Sequence, residues 1–312
     1  MHLTLAIATW NRAELLAETL ASLATLDVPD GVTWEVLVCD NNSSDHTKAT
    51  VEEFVAMKAR GAVLQGKAGL TEVRSLFEPT QGKSHALNQI LREATGSWVL
   101  FLDDDVLVDP QWLKTYVEAI ARHPKAGVLG GAVLPRLYKD VRGKQAFLLE
   151  HYPGAYGVLK LDADTPIGDP TPSPGGANMA VLREVAQKHG FALNFGMIGG
   201  ERIAGEDAGM AINILREGYQ GWLLADAKVL HHTPSDSLTR RRLWQWQKGF
   251  GRVRAFCRGK PQKGKFGIAW WAWREMIRLW LGVIVRWRPW PTKGYYHAYV
   301  VAAQYWGYMT AK

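Results

Sequence analysis

Three consecutive carboxylates, Asp103, Asp104 and Asp105, form the clearest chemical feature of the sequence. This Asp triplet follows an apolar run at residues 98–102 and precedes another at 106–108, so the acids lie where a buried strand reaches the surface. Neighbouring carboxylates repel each other, and a hard cation such as Mg²⁺ or Mn²⁺ relieves the repulsion when it shares their oxygens and those of a phosphate group. The triplet therefore predicts a metal site, and a solvated acidic turn is the alternative.

The elements that would position the triplet alternate between strands and helices over the first 125 residues. Apolar runs predict strands at residues 3–8, 35–39 and 98–102, and helical spacing predicts helices at 13–26, 47–58 and 84–94. Such alternation is typical of an α/β fold with a mostly parallel central sheet flanked by helices. Polar clusters at 9–12, 40–45 and 103–105 each follow a predicted strand. Because ligands bind at the carboxyl ends of parallel strands, we expect the three clusters to face one crevice.

The middle of the chain is less regular. An apolar stretch covers residues 127–138, and a Gly- and Pro-rich segment at 169–178 indicates a loop. Helices are predicted at 182–188 and 205–217, and a predicted strand at 221–230 ends before two histidines. The charge and Pro content after this strand indicates that a first domain, residues 1–238, ends here and that residues 239–312 form an extension.

Charge is divided unevenly between these two parts. From Arg240 onward the chain has 16 Lys and Arg but a single acid, Glu275, whereas residues 1–239 have 21 basic and 29 acidic residues. Nine of the fourteen Trp also lie in the basic part. We therefore expect an anionic partner surface for the extension alone.

The two cysteines, Cys39 and Cys257, are far apart and show no metal-ligand spacing. They suggest neither a disulfide framework nor a zinc site, and they favour a reducing compartment. The first residues lack a basic region before their short apolar run, so we interpret them as a strand and not as a secretion signal. These features predict a protein on the cytosolic side of the membrane.

Several motifs occur in an order that is more specific than any one of them. They are Thr9-Trp10-Asn11-Arg12, Asp40 with Ser44-Asp45, Gly82-Lys83 with Ala86-Leu87-Asn88, the Asp triplet, Gly205-Glu206-Asp207, and a His after the last strand. Over about residues 1–235, the chain thereby resembles the family 2 glycosyltransferases of the GT-A type. The resemblance implies a Rossmann-like GT-A fold and inverting transfer of a sugar from a nucleotide-sugar donor to an acceptor hydroxyl. It also implies a divalent metal, Mn²⁺ or Mg²⁺.

The resemblance assigns roles to the acidic residues. Asp105, with help from Asp103, would hold the metal that stabilises the departing diphosphate, and Asp103 or Asp104 would reach the donor ribose. Asp207 would be the general base that takes a proton from the acceptor hydroxyl, with Glu206 as the alternative. The structural alternative for this acidic pair is the helix dipole, which by itself favours acids in a first turn.

Other positions match the parts of the family that hold metal and donor. His231 would be a third metal ligand, with His232 or a plain surface role for both as the alternatives. Asp40 would pair with an imide N–H of uracil, which favours a UDP-type donor. The full set of donor-binding candidates is Thr9, Asn11, Arg12, Asp40, Lys83, Asn88, Asp103 and Asp104.

The helix at 84–94 departs from the family in one respect. Many relatives carry an Arg before its Asn, whereas this chain has Leu87 before Asn88. Lys83 is therefore expected to supply the cation near the pyrophosphate, where the helix N-terminus also attracts anions, unless it is simply a solvated lysine. On the acceptor side, the candidates that the resemblance implies are Gly175, Gly176 and Asn178, with the glycines allowing a sugar to approach the backbone.

The extension predicts two helical stretches, at residues 240–248 and 268–287. Spanning a membrane is disfavoured because each charge in the second stretch opposes insertion by roughly 2.5–3.5 kcal/mol. Arg274, Glu275, Arg278 and Arg286 gather on one side, and the other carries Trp270, Trp273, Ile277, Trp280, Ile284 and Trp287. This division predicts a helix in a membrane interface and peripheral attachment to the cytosolic face. Packing on the protein or in a homodimer is the alternative, and nucleic-acid binding ranks last because no nucleic-acid module accompanies the charges.

Together these features predict an inverting, metal-dependent glycosyltransferase whose acceptor is a saccharide or a lipid-linked saccharide, in cell-surface polysaccharide or glycolipid synthesis. A nucleotidyltransferase on a related fold is one alternative, although a Gly-rich basic loop would then be expected at residues 9–12. A non-catalytic protein that binds sugar nucleotides or membranes is another. The retained acidic motifs argue against it, because a binding module needs no general base.

Overall fold

The computed structural model describes residues 1–59, 69–168, 174–193, 196–198, 201–203, 205–258, 263–264, 267–268, 270–287 and 292–310. The strands are β1 His2–Thr9, β2 Thr33–Asp40, β3 Leu70–Phe77, β4 Trp98–Leu102, β5 Val106–Val108, β6 Ala126–Arg136, β7 Thr165–Pro166, β8 Asn178–Leu182, β9 Gly196–Ile198, β10 Glu201–Ile203, β11 Gln220–His232, β12 Lys263–Gly264 and β13 Gly267–Ile268. The α-helices are α1 Ala13–Ser22, α2 Thr47–Ala59, α3 Lys83–Glu93, α4 Trp112–Arg122, α5 Gly143–His151, α6 Arg183–His189, α7 Glu206–Arg216, α8 Arg240–Arg258, α9 Trp270–Val285 and α10 Lys293–Met309. Short 3-10 helices cover Leu23–Thr25, Pro153–Tyr156 and Ser235–Ser237.

The chain divides into two units, which we call the sheet unit and the helical unit. The sheet unit consists of Met1–Arg136, Gly157–Gly196 and Glu206–His232. The helical unit consists of Leu137–Tyr156, Met197–Gly205 and Thr233–Lys312. The extension predicted from residue 239 onward is thus part of a larger unit that also contains α5.

A mixed sheet with the strand order β3-β2-β1-β4-β8-β6-β11-β5 forms the centre of the sheet unit, and β7 pairs with β11. Strands β3, β2, β1 and β4 are parallel, as are β6 and β11. Strand β8 runs antiparallel to both of its neighbours, and β5 and β7 run antiparallel to β11. The predicted α/β class is confirmed. The sheet contains more antiparallel pairing than we predicted, because the chain after the Gly- and Pro-rich segment enters the sheet as β8 between β4 and β6.

The central strands are apolar along their whole length because both faces of the sheet are covered. Leu5 and Ile7 of β1 belong to a core beneath α1, α2 and α4, whereas Ala6 belongs to a second core beneath α3, α6 and α7. Strands buried on both faces lose the alternation of polar and apolar residues, and their sequences become continuous apolar runs. This burial fixes the register of β1, β2 and β4, whose ends carry the candidate site.

Helices α8, α9 and α10 form the helical unit together with α5. Its apolar core includes Leu148, Leu243, Val283 and Tyr296. Helices α8 and α10 approach closely, since a Cβ on Gly251 would lie 1.9 Å from the Gln304 carbonyl oxygen. Within the part of the chain that the structure describes, none of the helices has the length and apolarity needed to cross a bilayer.

Candidate active site

The Asp triplet lies in the turn between β4 and β5, at the carboxyl edge of the sheet. In the strand register Ile7 pairs with Leu102 and Thr9 pairs with Asp40, so β1, β2 and β4 end side by side. Asp104 and Asp105 are buried in spite of their charge. The three polar clusters predicted to share one crevice therefore meet at one edge of the sheet.

Two cations and a hydroxyl contact the carboxylates of the triplet. Arg12 Nη1 lies 3.0 Å from Asp104 Oδ1 and 2.5 Å from Asp105 Oδ2. Lys83 Nζ, at the first residue of α3, donates to Asp103 Oδ1 over 2.5 Å. Thr9 Oγ1 donates to Asp104 Oδ2 over 2.8 Å. Buried carboxylates need such partners, because an unpaired buried charge is costly.

These neighbours shift the pKa values of the three carboxylates in different directions. Burial, followed by repulsion from Asp105 and Asp103, raises the pKa of Asp104 to about 6 against the attraction of Arg12. Burial would also raise the pKa of Asp105, but its hydrogen bond to His231 and the charges of His231 and Arg12 lower it strongly. The pKa of Asp103 is lowered as well, because Lys83 outweighs burial. Asp103 and Asp105 are thus the members of the triplet that stay ionised and available to a cation.

Asp103, Asp105 and His231 could hold a metal ion. Each of them offers one ligand atom, and the three atoms lie within 4.8 Å of one another. His231 is buried near the end of β11, opposite Val106 of β5, with Nε2 3.3 Å from Asp105 Oδ1. Two carboxylates and one imidazole suit Mn²⁺ and are compatible with Mg²⁺, so the residues fit the predicted metal. The side chain of His232 is not part of this group, although its backbone N–H donates to the Asp105 carbonyl over 2.9 Å.

Gly157 determines how the His231 ring is seated, although nothing in the sequence marks it as a site residue. A Cβ at this position would lie 2.8 Å from His231 Cε1 and 3.0 Å from Nδ1, and the backbone φ of +74° is one that side chains rarely adopt. Only glycine combines this conformation with this contact. A positive φ and a distant packing partner leave no pattern in a single sequence.

Asp207 lies in the first turn of α7 and is held by the backbone of the loop before β8. Gly176 donates its N–H to Asp207 Oδ2 over 2.8 Å. The other carboxylate oxygen, Oδ1, is buried and has no hydrogen-bond partner among the described residues. Burial, followed by the charge of Glu206, raises the pKa of Asp207 to about 7, while Lys83 opposes the rise. A carboxylate with this pKa and a free oxygen can accept a proton near neutral pH.

Lys83 links the two acidic groups of the site electrostatically. Burial alone would lower its pKa, but attraction by Asp103, Asp207 and Glu206 raises it instead. Its ammonium group therefore stays charged and lies within the field of both the triplet and the acids that begin α7. The sequence predicted Lys83 beside the donor pyrophosphate, and here it pairs with Asp103.

Two of the predicted donor-binding amides are engaged with the protein. Asn11, at a φ of 51°, accepts hydrogen bonds through Oδ1 from the backbone N–H groups of Ser44 at 2.7 Å and Asp45 at 3.3 Å. Asn88 donates to the Phe191 carbonyl at 2.9 Å and accepts from the Phe191 N–H at 2.7 Å. Both amides fasten one segment of the crevice to another. The side chain of Asn88 is only partly buried and keeps one amide hydrogen for another partner, so its contact with a donor stays a prediction.

Asn178 is buried at the start of β8 and is not presented to an acceptor. Its Oδ1 accepts from Trp112 Nε1 and from the Tyr116 hydroxyl, each over 2.8 Å. Its Nδ2 donates to the carbonyls of Ala132 and Ala227 over 3.0 and 2.7 Å. The side chain is fully buried and these four bonds use both of its ends. The structure therefore corrects its predicted acceptor role to a structural one, because the amide satisfies buried polar groups of β6 and β11.

Asp40 and Gly175 complete the set of predicted positions. Asp40 is buried at the end of β2 and accepts from the Ser43 backbone N–H through Oδ1 over 3.0 Å. A Cβ built on Gly175 meets nothing within 4 Å, so the space beside this glycine is open. Asp40 is thus fixed at the edge shared with Thr9, and Gly175 adjoins the glycine that holds Asp207.

Comparison with known proteins identifies the family. The model of "Glycosyl transferase family 2" matches residues 4–190, and that of "Glycosyl transferase family group 2" matches residues 98–311. The succinoglycan biosynthesis protein ExoM of Rhizobium meliloti is 33% identical over 130 residues, which cover 42% of this chain and 38% of ExoM. Poly-beta-1,6-N-acetyl-D-glucosamine synthase of Staphylococcus epidermidis is 26% identical over 138 residues, 44% of this chain and 30% of the synthase. The chain thus aligns with well under half the length of these two relatives.

A solved structure agrees with the fold over nearly the whole chain. The mannosyltransferase PcManGT from Pyrobaculum calidifontis, in complex with GDP-Man and Mn²⁺, superposes with a TM-score of 0.58 at 22% identity. The match covers 96% of this chain and 85% of PcManGT. The likeness extends through the sheet and the C-terminal helices, which supports the predicted GT-A architecture. With more than half of its residues matched by the family model, the chain belongs to glycosyl transferase family 2.

Proposed function

We propose that this protein transfers a sugar from a nucleotide-sugar donor to an acceptor hydroxyl, with inversion at the anomeric carbon and with the help of Mn²⁺ or Mg²⁺. The observation that carries the proposal is Asp207, whose pKa of about 7 suits a general base and which shares Lys83 with the Asp triplet. One lysine thus connects a group that can take up a proton and a group that can hold a cation. Family membership supports the same reaction class.

Asp207 would act as the general base. Its buried Oδ1 has no partner among the residues that the structure describes and would accept the proton of the acceptor hydroxyl. The hydroxyl oxygen then forms a bond to the anomeric carbon on the face opposite the diphosphate. The bond between that carbon and the phosphate oxygen breaks, and its electron pair leaves with the nucleoside diphosphate. Direct displacement of this kind inverts the anomeric configuration.

The departing diphosphate would be stabilised at the Asp triplet. Asp103, Asp105 and His231 would hold the divalent ion, which supplies positive charge to the leaving oxygens when bound. Lys83 and Arg12 already lie against the triplet and are the cations available to the phosphates. The Mn²⁺ in the PcManGT complex supports the choice of metal.

Asp40 would select the base of the donor. It is buried and fixed through one oxygen by Ser43, and a fixed carboxylate can accept an imide N–H of uracil. We therefore propose a UDP-sugar, although the PcManGT complex contains GDP-Man. Competition by UDP, GDP and CDP against donor turnover tests this choice. UDP should inhibit most strongly, and Asp40→Ala should reduce the difference between the three nucleotides.

The acceptor would be a saccharide or a lipid-linked saccharide in the synthesis of a surface polysaccharide or glycolipid. The names of ExoM and of poly-beta-1,6-N-acetyl-D-glucosamine synthase support polysaccharide synthesis. Gly175 offers open space beside Gly176, which holds the proposed base, and such space allows a sugar hydroxyl to approach.

The reaction can be tested with purified protein, Mn²⁺ and a panel of nucleotide sugars, by following nucleoside diphosphate release with and without saccharide acceptors. We expect release with one donor class. Asp207→Asn and Asp105→Asn should each lower kcat by about 100-fold or more, because each removes a group needed in the transition state. NMR of the product gives the anomeric configuration relative to the donor.

Asp226→Asn is the matched control, because this carboxylate is exposed and pairs with Lys228. The control should retain wild-type turnover. Failure to release diphosphate from any donor, with or without acceptors, would refute the proposal. Full activity of Asp207→Asn, or retention of the anomeric configuration, would refute the assigned mechanism.

A further inference from the structure

The helical unit contains an open cleft of about 720 Å³ that is basic and aromatic. Its lining includes Lys144 of α5, Arg240 and Arg241 at the start of α8, and Trp244, Trp280 and Tyr299. The Trp244 ring lies 5.4 Å from that of Trp280 and 5.2 Å from that of Tyr299, measured between centroids. We call these six residues the basic cleft. Lys144 lies far from the tail in sequence, so the fold assembles the cleft from two segments.

The positive charge of the cleft has no acidic counterpart within the described ranges. None of its three cations forms an ion pair with a carboxylate there. Burial, followed by repulsion from Arg240, lowers the pKa of Lys144, which indicates that the cations repel one another. Arg240 donates to the Tyr295 hydroxyl over 3.0 Å, which fixes its position without neutralising it. A fixed group of uncompensated cations attracts an anion.

Helix α9 presents an apolar face to solvent beside this cleft. Its buried side packs into the helical unit through Ala272, Met276 and Val283. Seven exposed apolar residues of α9 and of the turn after it form what we call the apolar stripe. They are 37–76% exposed and comprise Trp270, Trp273, Ile277, Trp280, Leu281, Ile284 and Trp287. Trp280 belongs to both the stripe and the cleft. An exposed apolar surface of this extent marks an interaction site.

Exposed arginines border the apolar stripe, and their charge favours an anionic partner over a second copy of the chain. Arg278 forms hydrogen bonds to Glu275, Arg274 lies on the same helix, and Arg286 follows directly after its end. In a symmetric dimer formed through α9, the arginines of the two copies would face each other. Because the extension has 16 basic residues and one acid, such a contact would be repulsive. Tryptophans on an apolar face with arginines around them suit the interface of an anionic bilayer, where rings lie at headgroup depth and basic residues meet lipid phosphates.

We propose that the helical unit binds the surface of an anionic membrane, with the apolar stripe of α9 inserted at headgroup depth and a lipid phosphate seated in the basic cleft. The occupant is a phospholipid within a bilayer, and the cleft selects it by charge. Such binding does not depend on sugar transfer.

Flotation of the full chain with two kinds of vesicle tests the proposal without any donor or metal. One kind contains phosphatidylcholine alone and the other contains phosphatidylcholine with phosphatidylglycerol. We expect recovery with the anionic vesicles and much less with the neutral ones. High salt should weaken the recovery, because screening reduces the attraction between the cations and the anionic surface.

Two double variants separate the cleft from the stripe. Lys144→Gln with Arg241→Gln should weaken binding to anionic vesicles by about 25-fold, at about fivefold per charge, and leave the weak neutral binding unchanged. Ile277→Ser with Ile284→Ser should weaken binding to both kinds, because the stripe contacts lipid of either charge. Both isoleucines are exposed, so their replacement should leave the circular dichroism spectrum unchanged.

Lys114→Gln with Lys125→Gln is the charge-matched control, since both lysines are exposed and lie in the sheet unit. It should bind anionic vesicles within about twofold of the wild type, because neither lysine belongs to the basic cleft. Equal losses of vesicle binding in the control and the cleft variant would overturn the proposed headgroup site.

If no protein is recovered with anionic vesicles, the proposed membrane binding is overturned, whether or not the cleft binds inorganic phosphate in calorimetry. A dimer in analytical ultracentrifugation that Ile277→Ser with Ile284→Ser dissociates would assign the stripe to a second copy instead.

Discussion

Gly176 donates its backbone N–H to Asp207 over 2.8 Å, and a Cβ on this glycine would lie 2.6 Å from the other carboxylate oxygen. The glycine therefore both orients the proposed base and leaves room for it. We expect Gly176→Ala to displace the carboxylate and to lower kcat by about 100-fold, because a shift of about 1 Å in a reacting group costs that much. Steady-state kinetics of the purified variant measure this loss.

Gly175→Ala is the matched control, since its Cβ would meet nothing within 4 Å. It should retain a kcat close to that of the wild type, although a bulky acceptor could show a higher KM. Similar kcat losses in both variants would show that Gly176 does not act by positioning Asp207.

The raised pKa of Asp207 predicts the pH dependence of turnover. A general base acts in its ionised form, so with Asp207 in the proposed role kcat/KM should rise tenfold per pH unit below pH 7 and level off above it. The Glu206 charge raises this pKa, and Glu206→Gln should therefore move the midpoint to lower pH while activity persists. Loss of all activity in Glu206→Gln would instead identify Glu206 as the base.

The same pKa has a consequence for folding. The native state holds the Asp207 proton more tightly than the unfolded chain, whose Asp pKa is 3.8. The contribution of neutral Asp207 to stability is therefore complete at low pH and is lost as the pH rises from about 4 to about 7. Asp207→Asn removes a titrating group, so its urea midpoint should vary less over this range than that of the wild type.

His231 should be required for metal binding and His232 should not. His231 lies with Asp103 and Asp105 in the group of possible ligands, whereas the His232 side chain lies outside it. We expect His231→Ala to weaken Mn²⁺ binding by about tenfold or more, as measured by electron paramagnetic resonance with a nucleoside diphosphate present. His232→Ala should bind Mn²⁺ as the wild type does, and the reverse order would contradict the assignment.

Gly157 should influence the metal through His231. Gly157→Ala would bring its Cβ to 2.8 Å from the imidazole, so we expect the ring to move and Mn²⁺ affinity to fall by about tenfold. Gly218→Ala controls for backbone strain, because its φ of +90° is equally unfavourable while its Cβ meets nothing within 4 Å. The control should lose stability by about 1 kcal/mol without any change in Mn²⁺ affinity.

Asn178 should affect stability and not acceptor affinity. Asn178→Ala removes the side-chain partner of the Trp112 N–H and of two buried carbonyls, whereas the Tyr116 hydroxyl keeps the backbone carbonyl of residue 178, so unfolding in urea should require about 3 kcal/mol less. Trp112→Phe removes a single bond of this group and should cost about 1 kcal/mol. An increase in acceptor KM at unchanged stability would restore the predicted acceptor contact.

The parts of the fold that the sequence predicts best are those buried on both sides. Strands β1, β2 and β4 are continuous apolar runs, and each is followed by polar residues, so their positions and the shared crevice could be read directly. Strand β3 was missed because it lies at the sheet edge and most of its side chains are partly or fully exposed. Strand β8 was not predicted because its first residue, Asn178, follows a Gly- and Pro-rich segment, and an Asn in that position is typical of a loop. Only the structure shows that its side chain has four buried partners.

Within the site, residue type alone did not separate ligand contacts from internal ones. Asn88 and Asn178 carry amides that could bind a sugar or a backbone group equally well, and only the tertiary fold shows that Phe191, Ala132 and Ala227 take them up. The Asp triplet stands out in the sequence because three consecutive carboxylates are unusual, whereas only the family resemblance singled out His231. The pairing of the triplet with Arg12 and Lys83 was not predicted, since the sequence suggested that both cations serve phosphates.

That pairing bears on the order in which the ligands arrive. Arg12 and Lys83 offset two of the three negative charges of the triplet, so this edge can fold before any ion is captured, unlike small zinc domains whose folding requires the metal. A chelator should consequently stop turnover and leave the melting temperature almost unchanged. A bound diphosphate would compete with the triplet for Arg12 and Lys83 and would thereby free carboxylate oxygens for the ion. The nucleotide should therefore raise the affinity for the ion, and the ion should raise the affinity for the nucleotide by the same factor.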